Sequence, residues 1–444
     1  MNKYFGTDGI RGKTNVELTP TLAFKIGRYL GEYHNKKKRN TVLIGRDTRI
    51  SGSMLLHSIV AGLLSSGTDV VDLGVTTTPS VVYLTKKHKF NYGIIITASH
   101  NPYYDNGIKV INENGDKISQ KLEHAINEYL NKEEDDLPLK KEDDIGTYTY
   151  NGKLLLDYVD LIKANIKITS NLNILFDLAN GAASKVAPLV LKDLAINNEI
   201  INAMPNGINI NASCGSTYLE TLSSKIKERK DEFDLGVAFD GDGDRVLLVD
   251  KDGNKLDGDH IIFIAARCMQ KLGKLNKNTV VLTVMSNLGL LNALKKEGIK
   301  YEIVDVGDKY VQAKINEEGY SLGGEQSGHI IFGNLLNSGD GLLTILYLLT
   351  LLEEAKLTIE EALNGFAKLP QVLINVNVSN KNKVMKDEGL LKLAKKITTE
   401  LGTNGRLLLR ASGTEPKIRI MVEAETVLKC EHYCDLVKQY IEAM

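Results

Sequence analysis

An α/β fold is the prediction for this chain, and three observations make it. Short apolar, β-branched runs alternate with stretches of helical periodicity, which argues for mixed, mostly parallel sheets covered by helices. That alternation restarts twice along the 444 residues, so three similar α/β units are expected. The tail then changes character: residues 372–378 alternate apolar and polar, the pattern of a half-buried strand in a smaller α+β unit. The length agrees with about three to four domains of roughly 100–150 residues each.

Taken in order, 41–45 is a β-branched run that ends in a Gly-Arg-Asp loop, 51–64 reads as a helix and 70–73 as a strand. A helix starts near Pro79, and 92–97 is the next strand. After the charged stretch 132–144 the pattern begins again, with a helix near 154–165, a strand at 173–177, a helix at 182–194 and strands near 198–203 and at 235–239. The turn Lys251-Asp-Gly-Asn opens the third unit, with a helix at 259–272, strands at 280–284 and 301–304, and a Gly-rich loop at 323–329. The tail adds a helix near 383–400, strands at 406–409 and 418–422, and a helix from Thr426. The expected domain boundaries are 1–150, 151–253, 254–368 and 369–444.

Composition narrows the functional classes. Hydrophobic residues make up 43% and charged residues 25%, the balance of a soluble globular chain. A formal net charge of −1 supplies no field toward nucleic acid or an anionic membrane. The basic run 36–39 has no interleaved aromatic residues and reads as a solvated loop. No signal peptide is read at the start. The longest apolar run, 341–352 between Asp340 and Glu353, is shorter than the about 20 residues a bilayer needs, so it reads as a buried helix. Cys214, Cys268, Cys430 and Cys434 are few and scattered, as suits a reducing cytoplasm. Cys430 and Cys434 share a helix face, but His432 points elsewhere, so packing is the expected role.

The chemistry concentrates in short segments. Thr97-Ala-Ser-His-Asn-Pro102 follows an apolar strand, and its Ser99 is expected to offer an exposed hydroxyl where functional loops of α/β sheets lie. Asp240-Gly-Asp-Gly-Asp-Arg245 spaces three carboxylates by two, on one face if the backbone is extended. Such carboxylates repel one another unless a cation compensates them, and oxygen-only ligands suit Mg²⁺ or Ca²⁺ rather than zinc. A calcium EF-hand loop is excluded, because its sixth position is Arg245 rather than Gly and its twelfth is Lys251 rather than Glu. Mg²⁺ usually takes a phosphate oxygen besides carboxylates, which makes a phosphate on Ser99 the expected further ligand. No Gly-x-Ser-x-Gly elbow surrounds Ser99, which counts against an acyl hydrolase. The segment from Arg410 to Arg419, RASGTEPKIR, offers guanidinium groups, hydroxyls and a tight turn, the parts of a phosphate cradle. In Gly323-Gly-Glu-Gln-Ser-Gly-His329, Glu325, Gln326 and Ser327 suit hydrogen bonding to sugar hydroxyls or an amine. The Gly-rich start, FGTDGIRG, carries Arg11, expected to reach into the same cleft.

In this order, FGTDGIRG, TASHNP, DGDGDR, GGEQSGH and RASGTEP resemble the α-D-phosphohexomutase superfamily, from Phe5 to beyond Arg419. GRDTRISG at 45–52, CGSTYLE at 214–220 and VMSNLGL at 284–290 resemble its bacterial members that act on glucosamine phosphates. Gln326 points the same way, since relatives acting on mannose or glucose phosphates tend to carry Met there. One departure is Ala411, where these enzymes usually have Pro. The resemblance implies four domains around a central cleft and a phosphoserine at Ser99. It implies one Mg²⁺ per chain, bound by Asp240, Asp242, Asp244 and the phosphate on Ser99. It also implies a site for the non-reacting phosphate at Arg410, Ser412, Gly413, Thr414 and Arg419, with Glu325 and Ser327, and Gln326 between them, at the sugar.

The mechanism expected from this resemblance moves the phosphoryl group of Ser99 to a hydroxyl of glucosamine 6-phosphate. The resulting glucosamine 1,6-bisphosphate, also the expected primer, turns around, and its original 6-phosphate passes to Ser99. Arg245 would neutralise phosphoryl oxygens, Lys109, His100 and His329 are open candidates for proton transfer, and the fourth domain is expected to close on substrate. The nearest alternative is a mutase of the same superfamily for mannose or glucose phosphates. A metal-dependent phosphatase would release inorganic phosphate, and a non-catalytic sugar-phosphate sensor needs no donor serine. The expected partner is a small sugar phosphate on the route to UDP-N-acetylglucosamine and peptidoglycan precursors in the cytoplasm, with neither nucleic acid nor membrane. A homodimer and an activating protein kinase are further expectations.

Overall fold

The computed structural model describes residues 4–6, 8–33, 39–412 and 416–444. Gly413 and Thr414 of the expected phosphate cradle, and 36–38 of the basic run, lie outside the described residues. The chain divides into two compact units, one of Met1–Val284 with Tyr301–Ala362, the other of Met285–Lys300 with Leu363–Met444.

The first unit carries three mixed sheets. The seven-stranded sheet contains β1 (Phe5–Gly6), β2 (Gly9–Lys13), β3 (Thr41–Arg46), β4 (Asp69–Val75), β5 (Tyr92–Ile96), β6 (Asp105–Asn112) and β7 (Tyr148–Tyr150) in the order β1-β2-β6-β5-β3-β4-β7. β3 runs parallel to β4 and β5, whereas β6 is antiparallel to β5 and β2. Val42 to Ile44 and Ile94 to Ile96 are all buried. Both faces of these strands are covered, which is why they read as continuous apolar runs without alternation. Helices Pro20–Tyr33 and Gly52–Ser65 pack together through glycines. A Cβ on Gly27 would lie 2.3 Å from the Ile59 carbonyl oxygen, and one on Gly62 would lie 2.2 Å from that of Phe24. Arg28 is fully buried and donates to Asp135 (2.6 Å), Ser66 (2.7 Å) and the Leu137 carbonyl (2.6 Å). The charged stretch at 132–144, a mere separator in the sequence, is thereby pinned to the helix pair.

The second sheet holds β8 (Leu172–Asp177), β9 (Ile196–Ile201), β10 (Leu235–Phe239), β11 (Val246–Asp250) and β12 (Lys255–Leu256), ordered β12-β11-β10-β8-β9. β10 is parallel to β8 but antiparallel to β11, with Phe239 opposite Val246. Residues 240–245 are thus a hairpin connection. The extended-backbone expectation for the three aspartates is corrected: the segment turns, with Gly243 at φ +73°, and the carboxylates converge because the chain bends back. The third sheet, β13 (Thr279–Thr283), β14 (Lys300–Val304), β15 (Gly323–Gly324) and β16 (Ile330–Ile331), presents the Gly-rich loop between antiparallel β15 and β16. The apolar run forms the helix Gly341–Ala355, most of it buried, with Asp340 capping the Leu343 N–H at 3.0 Å. Among the described residues, no helix is long and apolar enough to cross a membrane.

The second unit is an antiparallel sheet, β17 (Gln371–Asn377), β18 (Arg406–Ala411) and β19 (Lys417–Glu423), with β19 central. Leu390, Ile397 and Leu401 of helix Glu388–Leu401 share a core with Tyr433 and Val437 of helix Val427–Glu442. Cys430 and Cys434 are buried on one face of the latter helix, where the thiols donate to the carbonyls of Pro370 and Val372.

Candidate active site

Ser99 follows β5 directly and is only 1% exposed, so the expectation of an exposed hydroxyl is corrected. The turn folds the hydroxyl inward, against the β10–β11 connection, instead of toward solvent. Its backbone is left-handed, φ +52°, a conformation that costs a residue with a Cβ roughly 1–2 kcal/mol. The Ser99 N–H donates to Thr97 Oγ1 (2.9 Å), and the hydroxyl donates to Asp240 Oδ2 (2.6 Å). His100 Nδ1 lies 3.3 Å from the Ser99 hydroxyl oxygen.

One carboxylate oxygen from each of the buried Asp240, Asp242 and Asp244 lies within 4.8 Å of the others. Burial, then the charges of Asp244 and Asp242, push the Asp240 carboxyl well above the usual range. Burial acts the same way on Asp242, but the Lys109 ammonium, 2.9 Å away, and the Thr78 hydroxyl, 2.6 Å away, hold it below that range. Lys109 comes from β6, where it pairs with Ile95 of β5, and it also faces Asp8 (3.0 Å) and Asp244 (3.4 Å). Burial lowers its pKa, but the carboxylates of Asp242, Asp8 and Asp244 raise it well above the ordinary lysine value. The Arg245 N–H donates to Asp240 Oδ1 (3.2 Å), and its guanidinium is 3.9 Å from Asp244. Burial, then the charges of Arg245 and Arg11, push His100 down to about 4. His329 Nε2 accepts the Gly339 N–H (3.1 Å), so Nδ1 carries the hydrogen, 3.7 Å from Asp244.

The donor set fits a hard divalent cation. Asp242 Oδ1 and Asp244 Oδ1 are buried and accept no hydrogen bond. Buried carboxylate oxygens left in that state are costly, and oxygen-seeking cations such as Mg²⁺ take such ligands.

In the β15–β16 loop, Glu325, Gln326 and Ser327 are half-buried. Glu325 Oε1 accepts the Gly307 N–H (3.1 Å), and its charge adds to those raising the pKa of Arg245. Arg11 is half-buried and paired with Asp8 at 2.6 Å. The first unit thus brings together Ser99, His100, Lys109, the three aspartates, Arg245 and His329. In the second unit, Arg410 and Arg419 are direct cross-strand partners in β18 and β19. Like charges opposite one another destabilise a sheet, and an anion between them removes that cost. Ser412 is buried, and Lys381 donates to its carbonyl.

Sequence reasoning missed several neighbours. Asp8 binds Arg11, Lys109 and Lys117, and Lys117 (2.9 Å from Asp8) reaches Asp308 at 2.7 Å. Asp8, Lys109, Lys117 and Asp308 line a cavity with Gln312 and His329. An acid three residues before Arg11 was a readable signal for Asp8. Nothing local marks Lys117 and Asp308, which are 191 positions apart.

A buried serine is thus set against an acidic triad in a unit of three α/β sheets. Residues 2–136, 156–253, 257–369 and 373–438 match, in order, the phosphoglucomutase/phosphomannomutase alpha/beta/alpha domains I, II and III and C-terminal domain. The chain belongs to this family, the α-D-phosphohexomutases. It is 45% identical to a phosphoglucosamine mutase of Staphylococcus epidermidis over all of this chain and 98% of that one. It is equally similar, 45% identical, to one of Bacillus cereus over all of this chain and 99% of the relative. Among solved structures, a phosphoglucomutase/phosphomannomutase family protein of Burkholderia thailandensis is 26% identical with a TM-score of 0.82, over 98% of this chain and 97% of that one. The fold is shared as well by an Aspergillus fumigatus N-acetylphosphoglucosamine mutase, 18% identical with a TM-score of 0.68, over 99% of this chain and 96% of that one.

Proposed function

We propose that this chain interconverts glucosamine 6-phosphate and glucosamine 1-phosphate, with Ser99 as the phosphoryl carrier and glucosamine 1,6-bisphosphate as intermediate and primer. The observation that carries the reading is the Ser99 hydroxyl held 2.6 Å from Asp240 of the buried triad. The choice of sugar follows from 45% identity, along the whole chain, to phosphoglucosamine mutases. That likeness disfavours a mannose or glucose phosphate mutase.

Asp240, Asp242, Asp244 and the phosphate on Ser99 would hold Mg²⁺, which neutralises charge on the transferring group. The chain's own residues do the rest. Lys109, among Asp8, Asp242 and Asp244, keeps its proton and serves as a fixed positive charge. Arg245, its guanidinium 3.9 Å from Asp244, would neutralise phosphoryl oxygens, and Arg11 adds charge to the same cleft. His100, with Nδ1 beside the Ser99 oxygen, takes the proton of the sugar hydroxyl, whereas His329, its Nε2 occupied by the Gly339 N–H, presents its Nδ1–H on the side of Asp244. Glu325, Gln326 and Ser327 orient the sugar. Arg410, Ser412, Gly413, Thr414 and Arg419 take the phosphate that is not reacting, which relieves the facing arginines. A cytoplasmic location belongs to the same reading. A homodimer and an activating kinase belong to the same reading, and sedimentation and the intact mass of freshly expressed protein test them.

The deciding experiment compares kcat/KM for glucosamine 6-phosphate and glucose 6-phosphate, using Ser99-phosphorylated protein with Mg²⁺. A large preference for the amino sugar is expected. Equal or reversed preference would reassign the substrate to neutral hexose phosphates, and inorganic phosphate as main product would replace the mutase with a phosphatase.

A further inference from the structure

We infer that Arg49 is a positioning residue for the phosphoryl carrier: its guanidinium fixes the carbonyls of the Ser99 turn and so keeps the Ser99 hydroxyl on the acidic triad. The inference rests on the reading of Ser99 as carrier, and Arg49 itself touches no reacting atom.

Arg49 lies just beyond β3 with its side chain fully buried. All five guanidinium N–H groups are used. Nε donates to Asp47 (2.9 Å), Nη1 to the carbonyls of Pro102 and Asp105, and Nη2 to those of Ser99 (2.9 Å) and Asn101 (2.8 Å). The cation therefore collects three carbonyls from the turn that carries Ser99 and a fourth from Asp105 at the start of β6. A second route starts from the same ion pair. Asp47 also accepts the Thr97 hydroxyl (2.7 Å), and the Thr97 oxygen in turn accepts the Ser99 N–H (2.9 Å). Both backbone groups of Ser99 are thus tied to Arg49, one directly and one through Asp47 and Thr97.

The geometry leaves the turn little freedom. The Ser99 carbonyl also accepts from Asn211 (2.9 Å). A Cβ on Gly241 would come within 2.5 Å of that carbonyl, so the backbone of the aspartate loop abuts it. Ser99 is held left-handed at φ +52° by contacts on three sides. A lysine would keep the charge beside Asp47, but its three donors on a flexible stem cannot span four carbonyls and a carboxylate. The turn would then shift, and a displacement of about 1 Å at a reacting group costs on the order of a hundredfold in rate.

The test charges Ser99 of wild type, Arg49→Lys and Thr97→Val with phosphate from glucose 1,6-bisphosphate, and follows phosphate loss by intact mass after mixing with glucosamine 6-phosphate and Mg²⁺. The expected single-turnover rate, per phosphorylated molecule, falls about a hundredfold in Arg49→Lys and about tenfold in Thr97→Val. KM stays within about threefold of wild type in steady state, because the sugar contacts are untouched. A purely structural Arg49 would lower the fraction of chargeable protein and leave the rate of the charged fraction unchanged, and that result overturns the inference. Rates within about threefold of wild type in both variants overturn it too. Should Arg49→Lys not fold, Thr97→Val decides alone. Wild type that charges Ser99 but does not pass phosphate to glucosamine 6-phosphate removes the substrate reading, and the charging rates of the three proteins then decide on Arg49. Wild type that never charges Ser99 removes both.

Discussion

At a pH high enough to ionise the raised Asp240 carboxyl, Asp240→Asn should stabilise the protein without divalent cation and weaken it with one. The carboxylates of the triad lie within 4.8 Å of one another. At an effective dielectric constant of about 20, two charges at that distance repel by roughly 3–4 kcal/mol. Lys109 and Arg245 offset part of this repulsion, as their contacts with the triad show. The amide keeps one oxygen for either the Ser99 hydroxyl or the Arg245 N–H but not both, a loss of about 1 kcal/mol. The net expectation in chelator is a gain of about 1–2 kcal/mol for the variant, or a few degrees in unfolding temperature at most. A cation bound at a hundred times its Kd would stabilise wild type by about 2.7 kcal/mol, and the variant by much less. Thermal unfolding of both proteins, in EDTA and in excess MgCl₂, should therefore give curves that exchange order. The reasoning is refuted if the variant is the less stable protein in chelator, or if Mg²⁺ raises both proteins equally.

Three further outcomes are expected. Ser99→Ala should abolish mutase turnover while changing stability by only about 1 kcal/mol, the usual worth of one hydrogen bond; coupled assay and circular dichroism check both halves. Arg419→Gln should raise KM for the sugar phosphate about tenfold through loss of a charge-assisted contact, yet slightly stabilise β18–β19 by removing the charge opposite Arg410; steady-state kinetics and the unfolding temperature measure the two effects. Asp340, raised to about 6 by burial, binds a proton in the folded state at pH values where the unfolded carboxyl does not. Its contribution to stability therefore grows as pH falls from about 6 to about 4, by at most about 3 kcal/mol, and is absent at neutral pH. Asp340→Asn should flatten that part of the wild-type stability profile, measured by unfolding at successive pH values.

Much of the fold and the chemistry was legible locally. Strands with both faces buried announce themselves as unbroken apolar runs, so β5 and β10 stand within a residue of their predicted ends. The capped, apolar helix at Gly341–Ala355 and the paired cysteines on the last helix were readable from spacing alone. The serine and the three aspartates stood out because each lies in a dense run of chemistry between strands, and Arg410 and Arg419 because so short a segment holds so many phosphate-binding groups. The extended backbone assumed for the aspartates failed for a local reason. A hairpin with a left-handed glycine brings alternate residues together as well as a strand does, and the letters do not distinguish the two.

The sequence by itself determined the type of each element and the chemical groups available, because periodicity, turn residues and charge density act over a few residues. Tertiary structure alone decided which groups meet. Lys109 finds Asp242 across 133 positions, and Arg28 holds a segment more than a hundred residues away. Arg49 reaches the Ser99 turn because β3 and β5 lie side by side in register. It also decided that Ser99 is buried, since a strand end says where a loop begins and not what covers it. Those outcomes depend on how sheets and helices pack, and packing is settled by contacts between residues far apart in the chain.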